Sequence, residues 1–381
     1  MRGRIAVTGR CRALVAGLLL LAAAGCAEER GIVGPPLPDP PFDPELAANS
    51  IYSLRFAADN AVVAQVRTIA EVLGLAAPRA NRVAHSQLRG SSDRVDLLRA
   101  LEPRSLERAV ANVAASRAQG AKIPLFPINV LGKEFVFDAS IDAYVEYGEG
   151  GPENGVRFEL YAVDPSSGLP ALPLRPYGFV DLTDESDAVS ARLAVRAFDG
   201  SGGGARRVAD YLLDGAFASD ANGVSVSLLA EGFVEDHNGR FDFELDELLE
   251  SDDAARMTRV TSTHRVLSAE GTEVRLRVGG NLSADGSFAD LLFRMDIDGS
   301  AGLTLVDLAV VNGAQEGEIR QAGRVEALVE GTVEAPVFID AAGRGFNDSE
   351  LVALDEILFG IDDVLAFAGE AYVPLADLFA Y

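Results

Sequence analysis

From about residue 124 to about residue 346 the apolar pattern has a period of two, which admits little besides a sheet with one dry and one wet face. In 155–164, Val156, Phe158, Leu160 and Ala162 alternate with Arg157, Glu159 and Tyr161. In 272–282, Val274, Leu276 and Val278 alternate with Glu273, Arg275 and Arg277; in 287–298, Leu291, Phe293, Met295 and Ile297 alternate with Asp290, Arg294, Asp296 and Asp298. The pairs Asn222-Gly223, Asn238-Gly239, Glu270-Gly271, Asp285-Gly286, Asp298-Gly299 and Asn312-Gly313 separate the runs. Asn-Gly and Asp-Gly adopt the positive φ that tight hairpin turns require. Strands joined in this way form a meander, and a long twisted sheet with one apolar face must curl or be covered.

The cover is expected from both ends of the chain. Val62, Val66, Ile69 and Leu73 share one helical face, with Asp59 or Asn60 as N-cap and Gly74 just past the end. A second helix holds Val95, Leu98 and Leu101 and stops at Pro103; a third starts at Ser105, carries Leu106, Val110 and Val113, and ends near Gly120. At the far end Asn347 and Glu350 stand as in a capping box. Leu351, Leu354, Leu358, Ile361 and Leu365 follow, and Gly369 is the expected stop. The pattern predicts an α+β fold: a large antiparallel, curved β-meander sheet over 122–346, N-terminal helices over 49–121 and a C-terminal covering helix and tail over 347–381. Residues 49–381 form one domain in this reading.

The first residues read differently. Arg2, Arg4, Arg10 and Arg12 precede an apolar run over 13–24, with small residues before Cys26. About a dozen apolar residues fall short of the roughly 20 that cross a bilayer as a helix, so the run is an export signal and not a span. Leu20-Leu21-Ala22-Ala23-Ala24-Gly25-Cys26 resembles the lipobox of bacterial lipoprotein precursors, departing from its commonest form in having Ala23 where Leu is usual. The resemblance covers the first 26 residues only. It implies removal of residues 1–25 and acylation of Cys26; an ordinary secretory signal cut near Ala24 is the rival. Ala27 after the cysteine implies, by the family's sorting rule, the outer membrane. Residues 26–48 then carry the lipid and a tether, whose Gly34-Pro35-Pro36-Leu37-Pro38-Asp39-Pro40-Pro41-Phe42-Asp43-Pro44 favours extended structure. Each lipid chain contributes about 0.8 kcal/mol per buried methylene, and the pathway supplies more than one chain.

Charge and cysteine usage exclude several functions. The formal charge is −25, and more negative once the signal arginines are gone, with no basic stripe to meet phosphate; nucleic acid is set aside. The same charge argues against a broad grip on anionic headgroups. Cys11 lies inside the signal, so the mature chain can form no internal disulfide. The two lysines, Lys122 and Lys133, lie outside any phosphate-loop pattern, and the glycine loop over 200–204 lacks the helix that would make it a phosphate cradle.

Candidate chemistry is sparse. His237 sits in the turn Glu235-Asp236-His237-Asn238-Gly239, His85 lies between helices, and His264 shares a strand face with Val260 and Val266, as a buried, hydrogen-bonded histidine would. No Gly-x-Ser-x-Gly elbow or helical zinc pair is present. Three acidic stretches raise the question of calcium: residues 181–187, 242–250 and 296–299. In the second, Asp242, Glu244 and Asp246 alternate with Phe241, Phe243 and Leu245, as a solvated strand face does. In the first, Asp181, Asp184 and Asp187 are the candidate ligands, although calcium needs six to eight converging oxygens.

The expectation is therefore an exported, membrane-anchored lipoprotein with a non-catalytic binding or structural role and no cofactor. Its partners would be the membrane, through the lipid, and an apolar ligand or another envelope protein. In outline it is similar to the periplasmic lipid and lipoprotein carriers, which use an open β-barrel with a helical lid; the likeness is architectural. Leu291, Phe293 and Met295 on the sheet, with Leu358 and Ile361 on the C-terminal helix, are the candidate ligand-binding residues, the bland alternative being that they fill a core. The rival is an exported hydrolase or calcium-binding protein using the acidic loop residues. A membrane barrel would also alternate, but the tether, the helices and Pro374 speak against it.

Overall fold

The computed structural model describes residues 42–58, 62–63, 65–66, 69 and 125–379, less 163, 165–168, 188–189, 201–203, 220–222, 238, 253 and 284–288. The signal, Cys26 and the helices expected around Val95 and Ser105 lie outside the described residues, as do Leu73 and His85. The described residues, all from Phe42 onward, belong to one compact unit. It opens with α1 (Pro44–Ala58) and closes with α2 (Asp348–Phe379). Between them run β1 (Lys133–Asp138), β2 (Ala143–Glu149), β3 (Gly155–Tyr161), β4 (Pro176–Asp184), β5 (Ala191–Asp199), β6 (Arg206–Ser219), β7 (Val224–Asp236) and β8 (Gly239–Asp252). These are followed by β9 (Met257–Ser268), β10 (Glu273–Ser283), β11 (Ala289–Gly299), β12 (Gly302–Val311), β13 (Ala314–Gln321), β14 (Arg324–Thr332) and β15 (Ala335–Asp340).

All fifteen strands belong to one open sheet, in the order β15 to β3, then β1, then β2. The expected α+β class is corrected by this: among the described residues the fold is nearly all sheet, and the helices are its cover and not a second half. A fifteen-stranded sheet has a dry face far larger than any one helix can bury, so the apolar stripes of the helices were serving that face. The purely antiparallel meander is corrected as well. β3 to β15 follow it, but β1 lies parallel to β3 over Lys133↔Val156, Glu134↔Arg157 and Phe135↔Phe158. The chain crosses from β2 to β3 around the end of β1, where the amides of Gly150 and Gly151 donate to Gly132 O at 3.1 and 3.0 Å. A Cβ on Gly151 would stand 2.3 Å from Lys133 O, so only glycine permits the crossing.

α1 starts inside the stretch read as a tether. Asp43 Oδ1 accepts from Leu46 N at 3.0 Å, and Pro44 takes the first helical position, where its missing N–H leaves nothing unpaired. Val62, Val63, Gln65, Val66 and Ile69 are helical and buried too. The capping box of α2 is formed in both directions: Glu350 N donates to Asn347 Oδ1 at 3.0 Å and Asn347 N to Glu350 Oε2 at 2.8 Å. α2 then runs through Gly369, the expected stop, to Phe379. Glycine inside a helix costs about 1 kcal/mol relative to alanine, which the burial of Phe367, Ala368, Ala371 and Tyr372 on either side outweighs. α2 crosses α1 at Gly360, where a Cβ would come within 2.7 Å of Ile51 Cγ2 and 3.5 Å of Met295 Cε. The two helices and β11 therefore meet at one point of the dry face. No described helix is long and apolar enough to cross a membrane.

Candidate functional site

Register defines what the helices cover. One cross-strand row on the dry face runs Leu228, Glu247, Ser262, Val278, Phe293, Leu308 from β7 to β12; the next runs Ala230, Leu245, His264, Leu276, Met295, Val306. The candidate ligand residues thus stand together. Leu291, Phe293 and Met295 on β11 and Leu358 and Ile361 on α2 are all buried members of one core, at most 2 % exposed. Further along, Phe367 of α2 meets Phe243 of β8 edge to face at 5.1 Å.

The same two rows carry three polar residues that apolar neighbours surround. Glu247 is registered directly against Ser262, and His264 lies on the same face two residues on, at the diagonal position that long side chains reach. All three are at most 2 % exposed, and among the described residues Glu247 Oε1 and Oε2, Ser262 Oγ and His264 Nδ1 have no hydrogen-bond partner. Burial, and after it the neighbouring Asp246, pushes the Glu247 carboxyl up to about 8, while burial pushes His264 down to about 4. Near neutral pH all three groups are uncharged. Over them stands Tyr372 of α2, whose hydroxyl points at Leu228 O, 3.5 Å away and in register with Glu247. Burial first, and the Glu247 carboxyl second, raise the Tyr372 phenol.

The alternation places His264 on this face, where a hydrogen bond is expected; it is buried, but its Nδ1 has no partner among the described residues. Sequence reasoning misses Glu247. The alternation Phe241, Phe243, Leu245 carried two residues further puts Glu247 on the dry side, but its position in an acidic run disguised it.

Serine, histidine and a carboxyl side by side invite a hydrolytic reading, which the geometry does not support. With Ser262 Oγ, His264 Nδ1 and both Glu247 oxygens unbonded, neither a serine–histidine nor a histidine–acid hydrogen bond exists to activate a nucleophile. What the group can do is offer uncharged donors and acceptors in a dry setting. Leaving each unmet costs about 1–3 kcal/mol.

The acidic candidates are held elsewhere. Asp181 lies on the wet face and accepts both arms of Arg157, at 2.7 and 2.9 Å, while that guanidinium stacks on Phe179 at 4.0 Å. Asp184 is buried at the end of β4 and accepts from Ser186 N and Leu125 N; Asp187, in the loop beyond, accepts from Ser190 N. Among the described residues no three His, Cys, Asp or Glu side chains are grouped to hold a metal. His237 is exposed in its turn. The wet face also has a depression of about 820 Å³ across β9 to β14, floored by Gly279, Ala309 and Leu292 and edged by Arg277, Arg294 and Glu316.

Comparison of the chain with family models, with curated proteins and with solved structures finds no match. The class is defined by its architecture alone: an open β-meander, mixed at one end, with helices lying on its dry face.

Proposed function

We propose that this protein is an exported lipoprotein, anchored in the cell envelope, at the outer membrane, through lipid on Cys26, and that its role is non-catalytic: it holds an apolar ligand or partner segment between α2 and the sheet. The observation that carries the binding role is that Glu247 Oε1 and Oε2, Ser262 Oγ and His264 Nδ1, beneath Tyr372, have no hydrogen-bond partner among the described residues. A face retained only as a core would gain from apolar side chains at those positions. Polar groups kept there without partners fit a molecule that brings its own hydrogen-bonding group into an apolar setting. Phe293 and Met295 lie in the same two rows and would line its apolar part.

Two measurements test the two halves of the proposal. Anchoring predicts that the chain fractionates with membranes and that Cys26→Ser releases it; a chain equally soluble with and without Cys26 refutes the anchor. Binding predicts that gently extracted protein carries a lipid-sized mass in native mass spectra, and that a Glu247→Leu, Ser262→Ala variant loses it while remaining folded. A bare protein in both cases removes the ligand and leaves a structural role.

A further inference from the structure

The two outermost strands of the sheet are guarded in different ways. β2 carries Glu146 and Glu149, both ion-paired to Lys133 on β1, and charge on an edge strand discourages another strand from adding to it. β15 has no charged residue from Ala335 to Ile339, in a chain of net charge −25. Its one acid, Asp340, is buried and turned inward, accepting from Ala342 N at 2.7 Å, Arg344 N at 3.2 Å and Arg344 Nε at 3.3 Å. Among the described residues β15 pairs with β14 alone.

The backbone of β15 shows what it can accept. Ala341 N donates to Glu326 O on the β14 side. In an antiparallel ladder successive residues alternate, so Ala335, Val337 and Ile339 direct their backbone groups toward β14, and Pro336, Phe338 and Asp340 direct theirs away. Pro336 has no N–H to offer, and Asp340 O already accepts from Gly343 N at 3.0 Å. What remains on the open side is Pro336 C=O, both groups of Phe338 and Asp340 N–H.

That set is complementary to itself. We propose that β15 pairs antiparallel with β15 of a second copy of this chain, about a two-fold axis at Phe338. Phe338 then exchanges both of its hydrogen bonds with its symmetry mate, and each Asp340 N–H meets the other chain's Pro336 C=O. No donor or acceptor on the open side of the strand is left over. On the wet face Val337, 52 % exposed, comes opposite the other copy's Ile339, 41 % exposed, beside the half-exposed Leu328 that Ile339 already faces on β14. The antiparallel order also carries Glu334 of each chain toward the Arg344 end of the other. The interface is isologous, as two-fold dimers require, and it joins two fifteen-stranded sheets into one.

Sedimentation of the full chain, made lipid-free by Cys26→Ser, tests this from low micromolar to a few hundred micromolar concentration. Twice the chain mass is expected, falling to the chain mass in a Val337→Lys, Ile339→Lys variant. Tyr147→Lys on the β2 edge should leave the dimer intact. Should the lysine variant not fold, Phe338→Pro serves in its place, because it deletes an N–H that faces away from β14. The amides of Phe338 and Asp340 should exchange more slowly as concentration rises. A chain that stays monomeric throughout, or a dimer that survives both the lysine and the proline variants, overturns the proposal.

Discussion

The two faces of the sheet treat polar side chains in opposite ways. On the wet face nearly every guanidinium meets a carboxylate across or along the strands: Arg157 with Asp181, Arg192 with Asp214, Arg265 with Glu273, Arg277 with Asp296. On the dry face Glu247, Ser262 and His264 sit in adjacent rows, with the atoms named above unmet. Ion pairs exposed to solvent contribute about 0–1 kcal/mol each, whereas an unmet polar group in a dry core costs about 1–3 kcal/mol. The wet pairs therefore fix register and solubility, and stability is decided on the dry side.

Neighbouring residues on one strand give the largest contrast. Phe293 and Leu292 are consecutive on β11, one 2 % and the other 62 % exposed. Phe293→Ala should destabilise by about 3–5 kcal/mol in urea unfolding, and Leu292→Ala by about 0.5 kcal/mol or less. If the dry face holds a ligand, Phe293→Ala should also reduce uptake of an apolar probe by more than its loss of stability explains. Losses in proportion would make Phe293 core and nothing more, and equal effects of the two substitutions would contradict the assignment of faces.

The next contrast is in pH. Glu247 is raised to about 8 from an ordinary 4.5, so the unfolded chain releases this proton first, and stability falls as pH rises through that interval. His264 is lowered to about 4 from 6.5, so the unfolded chain gains this proton first, and stability falls as pH drops through that interval. The slopes oppose and nearly cancel between pH 4.5 and 6.5, leaving a net decline from 6.5 to 8 at up to about 1.4 kcal/mol per unit. Glu247→Gln should abolish that decline and expose the histidine slope below it. Unfolding midpoints measured across this range check both, and a wild-type curve flat between 6.5 and 8 would mean that Glu247 has found a partner.

How far these faces were legible in the sequence depends on whether the determining contact is local. Alternation located Val274, Leu276 and Val278 on the dry face correctly, all three being buried. Asn312-Gly313 is a turn with φ of 52° and 83°, as a type I′ hairpin requires, and the Asn347 and Glu350 box holds its two bonds. Other features lie in contacts that no short window contains. The turn Ala322-Gly323 has the same positive φ pair, but alanine gives no turn signal. The parallel placement of β1 beside β3 rests on the room left by Gly151, and the passage of α2 through Gly369 rests on what Tyr372 and Phe367 bury. The fold class escapes a short window for the same reason: helical periods announce helices but not how little of the finished architecture they form. Glu247 was legible in principle, one alternation past Leu245, and hidden because a run of carboxylates reads as solvated.

The smallest contrast tests the wet face at Asp181, where a pairing partner and a cation would compete. Both its oxygens are engaged by Arg157, which Phe179 holds from behind at 4.0 Å. A double-mutant cycle between Arg157→Ala and Asp181→Asn should return a coupling of about 1 kcal/mol, more than the same cycle at the more exposed Arg240–Asp242 pair and weakened by salt. If the carboxylate belongs to Arg157, millimolar calcium should leave the melting temperature of the wild type where it was. A calcium-dependent rise that Asp181→Asn removes would show instead that the guanidinium yields to a cation, and the order on this face would then be conditional on an ion and not built into the strands.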